Sequence, residues 1–279
     1  MKGKGCKSAI RNPQSAIDDS SDAIIELRDV SKRFGSLQVL DGFNLSLAHG
    51  QTTVVIGESG TGKSVLLKHI VALLRPDSGE VYFHGRRIDN QSEVDLVPVR
   101  RQFGFLFQLG ALFDSMTVAQ NIGFPLDQHR DNTAEDMAET VAEKLRLVGL
   151  DGLQSRRPGE LSGGQRKRVA LARAIALDPE VVLYDEPTTG LDPVRADVIN
   201  ELILKLKREL HVTSVVVTHD MVSAYKVADR IVMLHQGKII ADHTPDWFRT
   251  CSDARVRRFV DGKADPDDLA ALNLKGSQD

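Results

Sequence analysis

Cysteine is too scarce in this sequence for a disulfide framework. The 279 residues include two cysteines, Cys6 and Cys251, and a single bridge does not make the scaffold of a small secreted protein. Long apolar runs are also missing: no stretch without a polar residue exceeds five residues, whereas a membrane-spanning helix needs about 20. The N-terminus lacks the apolar segment of a signal peptide. We therefore expect a soluble, cytoplasmic protein whose membrane role, if it has one, is exercised through a partner.

An excess of positive charge is also missing. Lys and Arg number 36 against 39 Asp and Glu, which gives a formal net charge of −3. Nucleic-acid-binding domains concentrate basic residues on one face, so we expect no nucleic-acid partner. Hydrophobic residues make up 41% of the chain, which is enough for one large α/β domain with a smaller subdomain or tail.

A glycine-rich loop between a predicted strand and a predicted helix is the strongest signal present. Residues 53–56 are an apolar run, and residues 65–74 have helical periodicity. Between them lies G-x-x-x-x-G-K-[ST], formed by Gly57, Glu58, Ser59, Gly60, Thr61, Gly62, Lys63 and Ser64. Its backbone N–H groups would cradle phosphates, Lys63 would reach the β- and γ-phosphates, and the Ser64 hydroxyl can bind Mg²⁺. The alternative is a glycine-rich turn that matches the pattern by chance.

Two acids follow a second buried strand, residues 181–184. Asp185 and Glu186 would therefore lie at the carboxyl end of a strand, where open α/β sheets bind ligands. Asp185 would hold Mg²⁺ and Glu186 would polarise the attacking water, because a metal-bound carboxylate is a poor base. A capping or solvated acid pair is the alternative, which the upstream phosphate loop disfavours.

Two further segments contain candidate site residues. Residues 161–165, Leu-Ser-Gly-Gly-Gln, precede a helix predicted over 166–177 and would form a second anion site at its N-terminus. His219 follows a strand predicted over 212–218, and a structural histidine is the alternative there.

An aromatic residue near the N-terminus completes the set. Phe34 lies in a polar segment, residues 31–35, between antiparallel strands predicted at 23–30 and 42–48. An exposed ring in such a segment can stack on a base, whereas the alternative is a local core residue.

In this order and spacing, the motifs resemble the nucleotide-binding domain of ABC ATPases over about residues 24–241. The resemblance implies an α/β P-loop NTPase fold with a RecA-like core, an antiparallel β subdomain and an α-helical signature subdomain. We expect a disordered leader at 1–22, the ATP-binding domain at 23–243 with its helical subdomain at about 109–178, and a C-terminal extension at 244–279.

The resemblance also implies a role for each residue toward ATP and Mg²⁺. The catalytic residues would be Glu186, the switch histidine His219 and the Q-loop residue Gln108. The Mg²⁺ ligands would be Ser64, Gln108 and Asp185. The other nucleotide contacts would come from the phosphate loop, the adenine-stacking ring, the signature motif and the D-loop: residues 57–64, Val65, Phe34, Ser162, Gly163, Gly164, Gln165 and Asp192.

Val65 departs from the family pattern, since many members have Ser or Thr there. One hydroxyl donor is lost, and a neutral hydrogen bond contributes about 0.5–1.5 kcal/mol. We expect weaker nucleotide binding at most, without loss of activity.

A single copy of each motif implies a symmetric homodimer, because in this family the signature motif of one cassette closes on ATP bound to the other. There is no long coiled coil and no second cassette, as DNA-repair and ribosome-acting members would have. The resemblance therefore implies a separate membrane permease, with the chain on the cytoplasmic face of the membrane.

Residues 64–69, 76–79 and 107–113 resemble the ATPases of the Mla (maintenance of lipid asymmetry) and Mce-linked phospholipid transporters. This implies a permease whose coupling helix docks at the loop of residues 109–117, and an Mce-domain substrate-binding protein. Trp247, Phe248, Val256 and Phe259 are too apolar for a linker, so we expect the C-terminal extension to reach the other subunit. Two other functions remain open: an importer ATPase for amino acids or another small solute, and a regulatory module that binds ATP without turnover. For the loop of residues 109–117, the alternative to docking is packing within its own subdomain only.

Overall fold

The computed structural model describes residues 23–128 and 133–264. The expected leader, residues 1–22, and the end of the expected extension, residues 265–279, lie outside the described residues. The described chain contains a four-stranded antiparallel sheet and a six-stranded, mainly parallel sheet. The α/β fold class predicted from the sequence is therefore confirmed.

The antiparallel sheet has the strand order β2-β1-β4-β5. Its members are β1 (Ala23–Phe34), β2 (Leu37–Ala48), β4 (Ser78–Phe83) and β5 (Arg86–Arg87). The prediction that Phe34 lies in a polar segment between strands is wrong in one respect, because β1 continues through it. Arg33 pairs with Gln38 and Phe34 with Leu37, which leaves only a two-residue turn between the strands.

The larger sheet has the order β10-β9-β3-β8-β7-β6. Its members are β3 (Thr52–Ile56), β6 (Phe103–Leu106), β7 (Val181–Asp185), β8 (Thr213–Thr218), β9 (Arg230–His235) and β10 (Lys238–His243). The strands from β9 to β6 run parallel to one another, and β10 is antiparallel to β9. Every residue of β3, β7 and β8 is buried, which explains the apolar runs 54–56, 181–184 and 215–217 in these strands. Because β8 lies between β3 and β7, the carboxyl ends of these three strands meet at one edge.

The described part of the chain contains nine α-helices. They are α1 (Lys63–Ile70), α2 (Glu93–Arg100), α3 (Val118–Asp127), α4 (Ala134–Leu147), α5 (Gly163–Ala174), α6 (Pro193–Leu210), α7 (Met221–Val227), α8 (Pro245–Thr250) and α9 (Ala254–Val260). Reciprocal capping boxes begin α3, α4 and α5, so that side chains satisfy the free N–H groups of their first turns. None of the helices that can be described has the length and apolar character needed to cross a bilayer.

Two predicted helices have different bounds in the structure. The helix predicted over 65–74 begins earlier, at Lys63, and ends at Ile70, because Ala72 takes a left-handed φ of 52°. Its end is held by Arg100, which donates to the carbonyl oxygen of Ala72 at 2.8 Å. The helix predicted over 166–177 begins at Gly163 and ends at Ala174, so the two signature glycines are its first two residues.

Helices α3, α4 and α5 pack on one another and form the helical layer, within the segment where the helical subdomain was expected. Ile122 of α3, Leu145 of α4 and Val169 of α5 are fully buried in one hydrophobic cluster. The same cluster includes Val182 of β7 and Val216 of β8. The helical layer is therefore continuous with the core of the larger sheet.

The short helices after β10 pack against their own chain. Phe248 of α8 and Val256 of α9 are buried in the large hydrophobic cluster, and the Trp247 ring stacks on His243 with centroids 4.0 Å apart. Phe259 packs against the same cluster. The apolar residues that suggested contact with another subunit are therefore accounted for, up to residue 264, by packing within the chain.

Replacing Phe248 with Ala should lower the free energy of unfolding by about 3–5 kcal/mol, because the side chain is fully buried and the cavity left behind closes only in part. Val222→Ala is the control; this exposed side chain should contribute less than about 0.5 kcal/mol. Urea denaturation of both variants tests the packing of α8. Equal stabilities would mean that α8 does not belong to the core.

Candidate functional site

The phosphate loop connects β3 to α1, and Gly62 stands at the N-cap of α1 with a φ of 98°. A Cβ atom there would lie 2.7 Å from Val39 Cγ1 and 2.9 Å from the Val39 carbonyl oxygen. Strand β2 therefore passes too close to the loop for any side chain at this position. Both the left-handed backbone and the close approach require glycine.

Lys63 folds back over the loop. Its Nζ donates to the carbonyl oxygens of Gly57 and Glu58, each at 2.8 Å. Burial lowers the pKa of Lys63, and the charges of Glu186 and Asp185 oppose that shift. No carboxylate of the described residues pairs with this ammonium at salt-bridge distance, so the cation is held by neutral groups at the place where phosphates would bind.

Ser64, the second residue of α1, reaches across to the larger sheet. Its Oγ donates to Asp185 Oδ1 at 2.8 Å, and Asp185 is the last residue of β7. Burial raises the pKa of Asp185, while the hydrogen bond from Ser64 opposes that shift. A hydroxyl and a carboxylate side by side are hard oxygen ligands of the kind that Mg²⁺ binds together with phosphates, so the donor set fits this ion.

Glu186 and His219 meet at the ends of β7 and β8. His219 Nδ1 lies 2.9 Å from the Glu186 carboxylate, and Thr189 Oγ1 donates to Glu186 Oε2 at 3.1 Å. The Glu186 side chain is mostly buried, whereas that of His219 is 61% exposed. The sequence predicted both residues, and the adjacency of the two strands brings them together.

Phe34 and Val65 flank the loop in different ways. The Phe34 side chain is 46% exposed, and Lys32 Nζ lies 5.6 Å from its ring centroid. The ring is therefore free to stack on a base and does not plug the core. Val65 packs against a hydrophobic cluster that includes Leu40 and Leu67, so an apolar contact replaces the hydroxyl that a Ser or Thr would offer.

The signature motif, residues 161–165, forms the N-terminal end of α5, with Ser162 as the N-cap. Ser162 Oγ accepts from the N–H of Gln165 at 3.3 Å, and Gln165 Oε1 accepts from the N–H of Ser162 at 2.9 Å. Across residues 23–128 and 133–264, no hydrogen bond or ion pair joins the motif to the phosphate loop. The two predicted anion sites of one chain therefore remain separate.

The D-loop, residues 190–192, lies beside the signature motif. A Cβ atom on Gly164 would lie 3.5 Å from Arg195 Cδ, and one on Gly163 would lie 3.8 Å from Leu191 Cδ2. Asp192 caps α6 by accepting from the N–H of Arg195 at 3.0 Å. Asp192 thus fixes the start of α6 against α5.

Sequence reasoning missed Lys167. Its Nζ donates to the carbonyl oxygen of Gln108 and, at 3.3 Å, to that of Glu186. Lys167 is buried in α5 on the same face as Ala170 and Leu171, and burial lowers its pKa. A lysine in register with the apolar face of a helix is the signal that could have identified it.

The loop of residues 109–117 borders an aromatic groove of about 440 Å³ between β6 and the helical layer. Phe105, Phe107 and Phe113 line it, and Arg173 donates to the carbonyl oxygens of Gly110 and Ala111 at 2.9 and 2.8 Å. Leu109 is 93% exposed. The loop is therefore anchored to its own subdomain but presents an open apolar surface, which the alternative of purely internal packing did not predict.

Comparisons with known proteins agree with this geometry. The model of the ABC transporter family matches residues 40–189. The chain is 41% identical over 242 residues to the intermembrane phospholipid transport system ATP-binding protein MlaF of Escherichia coli K12, covering 87% of this chain and 90% of that protein. It is 40% identical over 239 residues to the probable ribonucleotide transport ATP-binding protein mkl of Mycobacterium leprae, covering 86% and 69%. Among solved structures, a dimeric post-hydrolysis state of the ATP-binding cassette MJ0796, bound to ADP and Pi, superposes with a TM-score of 0.73 at 33% identity and covers 79% of this chain and 98% of that one.

Replacing Gly62 with Ala should weaken nucleotide binding at least tenfold, which corresponds to about 1.4 kcal/mol. The added Cβ would displace the loop from Val39. The matched control is Gly85→Ala, because Gly85 has a similar left-handed φ of 70° but no atom within 4 Å of an added Cβ. Titration with a fluorescent nucleotide measures both affinities. Equal binding by the two variants would show that the close approach of β2 does not shape the site.

Proposed function

Since this chain belongs to the ABC transporter family and is an ATPase, we propose that it energises phospholipid transport through a separate membrane permease. The observation that carries its catalytic role is the convergence of Lys63, the Ser64–Asp185 pair and the Glu186–His219 pair at adjacent strand ends. The lipid substrate rests on the similarity to MlaF, whose name specifies phospholipid transport.

Binding of ATP would draw on groups that the structure already places. The Lys63 ammonium would leave the carbonyl oxygens of Gly57 and Glu58 and bind the β- and γ-phosphates. Its hydrogen bonds to charged phosphate oxygens are stronger than those to neutral carbonyl oxygens. The Phe34 ring would stack on adenine. Ser64 and Asp185, with Gln108 added from its loop, would hold Mg²⁺, which when bound neutralises charge on the phosphate oxygens.

Hydrolysis would be assigned to Glu186 and His219. The Glu186 carboxylate would orient the attacking water and accept its proton, and His219 would donate a hydrogen bond to the γ-phosphate. Thr189 and His219 fix the carboxylate from two sides in this structure. That restraint favours a single orientation of the base, which is the main protein contribution to phosphoryl transfer.

A complete site would need a second copy of the chain. The signature serine is exposed and not bonded to its own phosphate loop. The N–H groups of Gly163 and Gly164, the first two residues of α5, would meet the γ-phosphate held by a partner. The dimeric MJ0796 cassette with ADP and Pi is a precedent for this arrangement in a related protein. We propose a symmetric homodimer with two competent sites.

The permease would dock at the aromatic groove, with a coupling helix over residues 109–117. The exposed Leu109 and the ring of Phe113 offer apolar contacts, and Gln108 immediately precedes them, so that docking is linked to the nucleotide site. This would place the chain on the cytoplasmic face of the membrane. By its similarity to MlaF, the assembly would also include an Mce-domain substrate-binding protein.

The similarity to mkl, named for ribonucleotide transport, favours a second candidate substrate class, a small polar solute. Stimulation of ATP turnover in the complete complex distinguishes the two. Phospholipid vesicles should stimulate it under the lipid proposal, whereas stimulation by free ribonucleotides alone would favour the solute.

Glu186→Gln should reduce ATP turnover by a factor of about 10² or more, because the amide cannot take the proton from water. Nucleotide binding should persist, and ATP should trap the chain as a dimer in size-exclusion chromatography. Glu209→Gln, an exposed change at the end of α6, is the control and should turn over ATP like the wild type. Undiminished turnover in Glu186→Gln would remove Glu186 from the catalytic step.

Leu109→Ser should weaken association with the permease while the isolated chain keeps its ATPase activity, because the side chain is almost fully exposed and touches no catalytic group. Val94→Ser, a change at an exposed apolar residue of α2, is the matched control and should leave association unchanged. Co-purification with the permease measures the effect. Equal recovery of both variants would place the docking surface elsewhere.

A further inference from the structure

Helix α5 carries a buried ammonium group whose hydrogen bonds, in the described part of the chain, all go to backbone oxygens. Lys167 Nζ donates to the carbonyl oxygens of Gln108 and Glu186. The other buried lysine of the helical layer, Lys144, is different, because it pairs with Asp178 at 2.6 Å and Glu143 at 3.0 Å. Lys167 therefore lacks the direct carboxylate partner that normally compensates a buried charge.

Such a group is a poor source of stability. Removing an ammonium from water is costly, and two neutral carbonyl oxygens return only part of that cost. An apolar side chain of similar length would fill the same space on the buried face of α5. Lys167 instead affects the geometry, because its Nζ holds the carbonyl groups of Gln108 and Glu186, which belong to two different segments, close to each other.

The proposed mechanism uses the side chains of both segments at the same nucleotide, Gln108 toward Mg²⁺ and Glu186 toward the attacking water. Gln108 lies near the start of the connection from β6 to α3, two residues after β6, and Glu186 directly follows β7. Glu186 has a left-handed φ of 50°, which is unfavourable for a residue with a side chain. Its backbone is held on both sides, since its N–H donates to Val217 O at 2.9 Å and its carbonyl accepts from Lys167.

We propose that Lys167 is a positioning residue that sets the backbones of Gln108 and Glu186 together and links them to the signature helix. The signature motif is the first turn of α5, and Lys167 lies on the second turn of the same helix. A displacement of α5 when the signature engages a partner's nucleotide would therefore move Nζ relative to both carbonyl groups. The orientation of the Glu186 carboxylate toward the attacking water would thus depend on the position of the helical layer. This inference rests on the ATPase role proposed above.

The test compares Lys167→Met with the wild type in the full chain. We expect kcat to fall by about 10², the effect of a misplaced catalytic group, while the dissociation constant of a fluorescent ATP analogue changes less than about threefold. Lys167→Arg, which keeps the charge and the donors, should recover most of the lost kcat. Thermal unfolding shows that each variant is folded.

The matched control is Arg168→Met. Arg168 is the next residue of α5, and it also donates to two backbone carbonyl oxygens, those of Val148 at 3.2 Å and Gly149 at 3.1 Å. These two residues directly follow α4 and are not part of the proposed site, so we expect kcat to be unchanged in the folded variant. A purely structural role for Lys167 would instead predict similar losses for both variants.

Several results would overturn the inference: wild-type kcat in folded Lys167→Met, a loss of nucleotide affinity equal to the loss of kcat, or no recovery with Lys167→Arg. If Lys167→Met does not fold, Lys167→Gln is compared with Lys167→Arg; a lower kcat in the Gln variant at equal affinity is expected, and equal kcat values would overturn the inference. Wild type without turnover would contradict the proposed function itself, whereas active wild type with an equally active Lys167→Met would contradict only the positioning role.

Discussion

The hydrogen bond between Ser64 Oγ and Asp185 Oδ1, 2.8 Å long, joins the two halves of the proposed nucleotide site. One partner lies on the first turn of α1, whose position follows from the phosphate loop, and the other ends β7. The bond forms because β3 and β7 flank the same strand, β8, and all three run parallel. The phosphate loop, the acids Asp185 and Glu186, and His219 would not meet if the strand order were different.

Around that bond the protein places two lysines and two carboxylates in a largely buried space. Asp185 and Glu186 act electrostatically on both Lys63 and Lys167, yet neither lysine forms a direct ion pair with them. Each ammonium rests on backbone carbonyl oxygens instead. A cluster arranged in this way is nearly neutral overall but keeps Lys63 available for an anionic ligand, while Lys167 stays engaged with the backbone.

Much of this arrangement was predictable because the relevant signals are local. The strands β3, β7 and β8 each contain a run of at least three consecutive apolar residues, and the phosphate loop and the cap at Asp192 each follow from residues close in sequence. The ends of elements depended on distant partners. Helix α1 stops at Ile70 partly because Arg100 binds the carbonyl groups that follow it, and β1 extends to Phe34 because β2 pairs with it. The role of Lys167 required two acceptors, 59 and 19 residues away, which no periodic pattern reveals.

The burial of Phe248 changes where the folding unit ends. The motif-based boundary at residue 243 stops at the last strand, but α8 and α9 complete the hydrophobic cluster that supports β7 and β8. A chain shortened or fused at that boundary would lose Phe248 and Val256, and the hydrophobic cluster beneath β7 and β8 would be exposed to water. Residue 260, the end of α9, is the earliest point at which another sequence could be attached without opening that cluster.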